Sequence, residues 1–205
     1  MKLIYKLGLC LLILLLGITC IYQFNALTGY RDGFRRLNQK NKALNTAFSS
    51  NVYYSGTLRI SPSLKVRSFE NDTLITMQCL LKNMSQKLVL RVSEKFCDVC
   101  LNSEFNKLKL LAKKIGESNI YLAVSNNEYS QIKKMKEFRE LPFKILCFEG
   151  TNLFEDISDS EFNHPYIFII NNDGVARSFF IADAAYPDFS DLYYNSIKII
   201  FKKKA

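Results

Sequence analysis

"KLVLRVSEKFCDVCLNSEFNKLKLLAKKI", residues 87–115, holds the only close pair among the chain's six cysteines. Its first six residues are a β-rich apolar run. After the pair, Leu101, Phe105, Leu108 and Leu111 or Ala112 recur at helical spacing, so the stretch reads as strand, Cys-x-x-Cys, helix. That placement has chemical meaning. A cysteine at a helix start lies beside backbone N–H groups that have no partner in the helix, at the positive end of the helix dipole. Both favour a thiolate and lower the thiol's pKa. Cys97 is therefore the candidate attacking thiolate. Cys100, one helical turn later, is the candidate resolving thiol that closes the disulfide and releases a bound partner. Covalent haem attachment would need a histidine after the second cysteine, where Leu101 stands. A four-cysteine zinc site would need a second close pair, and none occurs.

Outward from this stretch the pattern alternates. "SNIYLAVS" (118–125) reads as a strand, "EYSQIKKMKEFREL" (128–141) as a helix, and "FKILCFE" (143–149) as a strand closed by Gly150. "PYIFIINNDGVARSFFI" (165–181) predicts two strands joined at Asn172-Asp173-Gly174, a hairpin signal. A last helix begins near Pro187, with Leu192, Ile197 and Ile200 or Phe201 turned inward. Strand–helix–strand–helix, then a hairpin, then a helix predicts an α/β fold: a mixed central sheet with helices on both faces. Residues 51–85 read as strands and loops.

The first thirty residues suggest an address. Lys2 and Lys6 are followed by 24 uncharged residues, Leu7 to Tyr30. A membrane span needs roughly 17–25 residues, so an uncleaved signal anchor and transmembrane helix is expected over residues 1–30. No small-x-small cleavage pattern occurs: a cut after Ala26 would put bulky Phe24 at the third position before it. Lys2 and Lys6 argue for a cytoplasmic N-terminus, whereas Arg31, Arg35, Arg36, Lys40 and Lys42 argue the reverse. The commoner arrangement places the C-terminal part outside the cytoplasm, where disulfides persist. Phe34, Leu37, Leu44 and Phe48 then predict a short membrane-proximal helix. The net charge of +9 is spread along the chain without a binding motif, so no nucleic-acid partner is expected.

Two quoted stretches carry a family resemblance. "KLVLRVSEKFCDVC" resembles the strand and motif of the thioredoxin superfamily, and "HPYIFIINNDGVAR" (164–177) resembles its second signature, a cis-proline opening a strand that faces the cysteines. With the anchor and the late Asp-Gly hairpin, the chain is most similar to membrane-anchored, TlpA-like thiol–disulfide oxidoreductases of the bacterial envelope. The resemblance implies a thioredoxin-like fold over residues 70–205, preceded by the anchor (1–30) and an extension (31–69). It implies a redox enzyme exchanging disulfides with protein thiols through Cys97 and Cys100, with reduction slightly preferred. The redox-active Cys97–Cys100 disulfide takes the place of any cofactor. An unidentified redox partner and a membrane contact through residues 7–30 complete the implied setting: bacterial inner membrane, single pass, domain in the periplasm. Pro165 matches the cis-proline, His164 precedes it near the expected substrate strand, and Phe96 is the aromatic residue before the first cysteine.

Several residues depart from the family pattern. Asp98-Val99 separates the cysteines, and Asp98 puts negative charge beside the thiolate. Arg91 stands six before Cys97, where thioredoxins often keep a buried acid; pointing inward it would stabilise the thiolate, leaving Glu94 as the nearest acid. The family alignment would put His164 within a few ångströms of Cys97, where an imidazolium would also stabilise a thiolate. Two other functions stay open: a non-enzymatic thioredoxin-like binding module with a structural disulfide, and a metallochaperone using Cys97, Cys100 and His164. A peroxidase would want threonine where Glu94 stands. Cys79 and Cys147 are read as a possible structural disulfide or, for Cys147, as a small buried hydrophobe.

Overall fold

No proline occurs before Pro62, so nothing removes a helical hydrogen bond over the first fifty residues. In the computed structural model, helix α1 accordingly runs unbroken through Lys2–Tyr54. It absorbs the predicted membrane-proximal helix and residues 51–54, the start of the segment expected as strands and loops. It stops at Gly56, whose φ of +87° suits glycine. The structure describes residues 2–67, 73–82, 84–93, 95–96, 98–162 and 164–202, with side chains from residue 14 onward. The chain divides into two compact units, 1–44 and 45–205. In the first, Leu14, Leu15, Leu16, Ile18 and Ile21 are exposed. Among the described residues no helix is long and apolar enough to cross a membrane; the side chains of residues 7–13, the first part of the expected span, lie outside the described residues.

The second unit is built on a seven-stranded sheet: β1 (Lys65–Arg67), β2 (Leu74–Thr76), β3 (Lys87–Arg91), β4 (Ile120–Ser125), β5 (Lys144–Phe148), β6 (Tyr166–Ile170) and β7 (Arg177–Ile181), in the order β2-β1-β5-β4-β3-β6-β7. β3, β4 and β5 are parallel; β6 pairs antiparallel with β3, β7 with β6, and β1 with β5. β3, β4 and β6 are buried along their whole length, as central strands covered on both faces are. The predicted hairpin forms, with a longer turn over 171–176 and a bulge between Ile167 and Ile169.

One face carries three helices: α3 (Asp98–Ile115), α4 (Tyr129–Phe138) and α5 (Pro187–Lys202). Tyr193 of α5 stacks on Phe180, ring centroids 4.8 Å apart. Arg139, just past α4, lies over the Phe105 ring of α3. Among the described residues no crossover helix covers the second face, although the sequence predicts helices on both. There Tyr166 and Phe168 of β6 pack with Phe154, Phe162 and Phe179, and Tyr54 of α1 closes the cluster at 5.1 Å from Phe179 and 5.4 Å from Phe162. A short helix, α2 (Met77–Lys82), buries Met77 and Leu81. Leu58, Ile60 and Val66 also belong to this core, so the segment expected as an extension supplies part of the domain's interior.

Cys79 and Cys147 are not bonded to each other. Cys79 is exposed and accepts a hydrogen bond from Thr76 Oγ1, whereas buried Cys147 donates to Asn126 Oδ1. The alternative structural disulfide is thus corrected, and the small-hydrophobe reading of Cys147 holds.

Candidate functional site

The strand that leads to the cysteines ends in a charge where an apolar residue would be expected. Arg91 is the last residue of β3, 2% exposed, and lies in register with Tyr166 on the aromatic face of the sheet. A buried guanidinium requires counter-charges and acceptors. It finds two carboxylates: its Nε donates to Asp159 Oδ2 at 2.7 Å, and its Nη1 pairs with Glu128 Oε2 at 3.2 Å. Nη1 also donates to the Val92 carbonyl, and the guanidinium stacks 5.0 Å from the Phe148 ring centroid. Tyr166 donates its hydroxyl to Asp159 Oδ1 at 2.6 Å. Glu128 accepts from Ser93 and, at 2.7 Å, from Ser125.

The result is a buried polar cluster with one cation and two anions, directly below the turn that precedes the cysteine pair. Ser93 belongs to that turn: its carbonyl accepts from Phe96 N and its Oγ from Lys95 N. Arg91 does point inward, as considered from the sequence, but its charge is offset by Asp159 and Glu128. Burial pushes Glu128 up, and the hydrogen bonds from Ser93, Ser125 and Arg91 outweigh it, holding the carboxyl below its usual range. Burial pushes the Tyr166 phenol well above its ordinary value, and Asp159 adds to the effect. A cavity of about 470 Å³ adjoins the cluster, between the turn and the 151–162 connection. A larger one, about 560 Å³, lies at the opposite end of the sheet near Gln86 and Asn171, away from the cysteines.

Helix α3 begins at Asp98. Cys97 and Glu94 lie outside the described residues. Cys100 sits in the first turn, 3% exposed, and its Sγ is 3.7 Å from Nδ1 of His164. The histidine was expected beside Cys97, which lies outside the described residues; the contact described is with Cys100. Phe96 is buried, its ring 6.4 Å from Tyr166, so it packs as a core residue. Asp98 and Val99 face solvent. Pro165 opens β6, and its carbonyl accepts from Ala182 N at 2.8 Å. Among the described residues no peptide bond is cis, which corrects the cis-proline expected at Pro165. Among the described residues no group of three histidine, cysteine or acidic side chains converges as a metal site would need; Cys97, one member of the conceived set, lies outside that search.

Sequence reasoning missed Glu128 and Asp159. A charged residue closing a strand after the apolar run 88–90 was the available signal that carboxylates must approach it. Nothing in the linear pattern says which ones, because they lie 37 and 68 residues away. It also missed Glu104, one turn after Cys100 on α3 and 2% exposed. That carboxylate accepts from Ser190 at 2.8 Å and Tyr194 at 2.6 Å, joining α3 to α5. Burial raises its pKa against the pull of those hydrogen bonds.

A central strand runs into the cysteine-bearing helix, with a parallel neighbour on one side and an antiparallel hairpin, led in by Pro165, on the other. The last helix, α5, packs back on α3. The fold is thioredoxin-like. Among solved structures this chain is similar to the thioredoxin domain of a thiol-disulfide oxidoreductase from Bacteroides vulgatus (13% identity, TM-score 0.49, covering 72% of this chain and 97% of that one). It is similar too to a thioredoxin-like protein from Porphyromonas gingivalis (12%, 0.46, covering 74% and 95%) and to a thiol peroxidase from Chromobacterium violaceum (14%, 0.45, covering 73% and 87%). No protein-family model and no curated protein matches the chain.

Proposed function

We propose that this chain is a membrane-tethered, extracytoplasmic thiol–disulfide oxidoreductase of the bacterial envelope, exchanging disulfides with protein substrates through Cys97 and Cys100. The observation that carries this is the pairing of Cys100 with His164. A buried thiol in the first turn of α3 stands in hydrogen-bond contact with an imidazole from the lead-in to β6. A purely structural cysteine has no need of a titratable partner. Cys97 is the attacking thiolate and Cys100 the resolving thiol. The buried Arg91–Asp159–Glu128 cluster holds the preceding turn through Ser93. The tether is residues 7–30, supported by their 24-residue uncharged run and the exposed apolar side chains from Leu14 to Ile21.

The test is trapping. Cys100→Ser in cells should accumulate mixed disulfides that disappear on reduction and are absent from a Cys97→Ser chain. A Cys100→Ser chain that traps nothing, together with a wild-type disulfide that resists strong reductant, would leave the structural-disulfide binding module as the function. Fractionation tests the tether: the full chain should sediment with membranes, and a chain starting at Asn45 should not.

A further inference from the structure

We infer that His164 is a catalytic base for the second half of the exchange, taking the proton of the Cys100 thiol rather than tuning Cys97. This rests on the exchange reaction proposed above and assigns it a further residue. The geometry comes first: Cys100 Sγ and His164 Nδ1 are 3.7 Å apart, within hydrogen-bond range for sulfur. With its hydrogen on Nε2, a neutral imidazole presents Nδ1 as an acceptor, and the thiol donates to it.

A buried thiol has most need of such a partner. Cys100 is 3% exposed, so ionising it without help would place a charge away from water. His164 is only partly buried, so its ring can pass the proton on to solvent. Among the described residues, the buried carboxylates that would compete for the role are engaged elsewhere. Glu104, four residues after Cys100, accepts from Ser190 and Tyr194. Glu128 and Asp159 face Arg91.

The step balances as follows. Cys97 thiolate has attacked a substrate disulfide, releasing one substrate thiolate and leaving the other substrate sulfur bonded to Cys97. His164 Nδ1 takes the Cys100 proton, and the Cys100 sulfur attacks the Cys97 sulfur. The Cys97–Cys100 bond forms and the Cys97–substrate bond breaks. Two electrons pass from the cysteine pair to the substrate, which leaves as a thiolate and is protonated by the imidazolium or by water.

The experiment uses the reduced full-length chain carrying Cys10→Ser, Cys20→Ser, Cys79→Ser and Cys147→Ala, so that only Cys97 and Cys100 react, and an aromatic disulfide, 5,5′-dithiobis(2-nitrobenzoate), whose coloured thiolate reports each half separately. Attack by Cys97 releases the first equivalent and resolution by Cys100 the second. His164→Ala should leave the first phase unchanged and slow the second by about a hundredfold, the scale of a lost general base. Adding free imidazole should restore the second phase in His164→Ala. His164→Gln, which keeps a polar side chain but takes no proton, should be equally slow, and Glu104→Gln should stay fast. An unchanged second phase in His164→Ala overturns the proposal, as does a slow phase that imidazole leaves slow, or a slow phase in Glu104→Gln with His164→Gln fast. A two-cysteine chain with His164 intact that releases no second equivalent refutes the exchange reaction itself, which is a different result from any of these.

Discussion

Arg91 is the residue on which the site's electrostatics turn. Its replacement by an apolar side chain of similar length removes the cation facing Asp159 and Glu128 while both remain buried. Breaking a buried pair in this way costs about 3–5 kcal/mol. Arg91→Met should therefore lower the unfolding free energy by that amount in denaturant titration, and a loss under about 1 kcal/mol would show that the cluster is not a structural clamp. The two engaged glutamates should respond to pH with opposite signs. Glu128 is held below the ordinary carboxyl value of about 4.3, so its stabilisation is complete above that pH and is lost as pH falls through its folded value. Glu104 is held above it, so its contribution is complete below about 4.3 and is lost as pH rises through its folded value. Relative to wild type, Glu104→Gln should gain stability as pH rises from about 4 to 8, and Glu128→Gln should lose less on acidification. Matching slopes in the two variants would contradict this assignment.

The β6–β7 hairpin shows how an element is fixed by backbone rather than by its surface charges. Gly174 holds φ +69°, and its carbonyl accepts from Ile60 N at 3.0 Å. A Cβ added there would meet Leu81 Cδ1 at 3.1 Å. Gly174→Ala should cost about 1–2 kcal/mol from the left-handed backbone alone, measured as a lowered unfolding midpoint. The neighbouring ion pair is conspicuous but exposed: Arg177 Nη2 lies 2.5 Å from Asp173 Oδ2, and the hydrogen bond lowers Asp173's pKa to about 2. Exposed pairs of this kind contribute about 0–1 kcal/mol, so Asp173→Asn should be the milder of the two changes. A larger loss from Asp173→Asn than from Gly174→Ala would reverse that ranking of backbone over charge.

At the scale of the molecule, the sequence placed the start of the thioredoxin-like domain near residue 70, whereas residues 45–67 belong to its compact unit. Leu58, Ile60 and Val66 are each no more than 4% exposed. Burying each contributes about 1.5–3 kcal/mol, so together they match much of a domain's net stability of about 5–15 kcal/mol. A chain starting at Asn45 should unfold cooperatively in a thermal scan, and one starting at residue 70 should not. A cooperative transition from the shorter chain would show that the segment is dispensable.

The local elements were legible by themselves. β-rich runs at 87–92, 118–125 and 143–149, the stripe after Cys100, Asn-Asp-Gly between two apolar runs and Pro187 before the last helix each carry their signal within a few residues, because helix and strand periodicities are local properties. From them followed the element order, the mixed sheet and the two cysteines with the strongest claim to chemistry. What the linear pattern could not contain is which distant groups meet. Burial of Arg91 selects Asp159 and Glu128 as partners, and Glu104 joins Ser190 and Tyr194 across the α3–α5 contact. His164 reaches Cys100 across 64 residues of sequence. Tyr54, at the end of a helix that no breaker interrupts, completes a core more than a hundred residues away. Such pairings follow from desolvation and packing among segments far apart in the chain, so only the tertiary structure decided them.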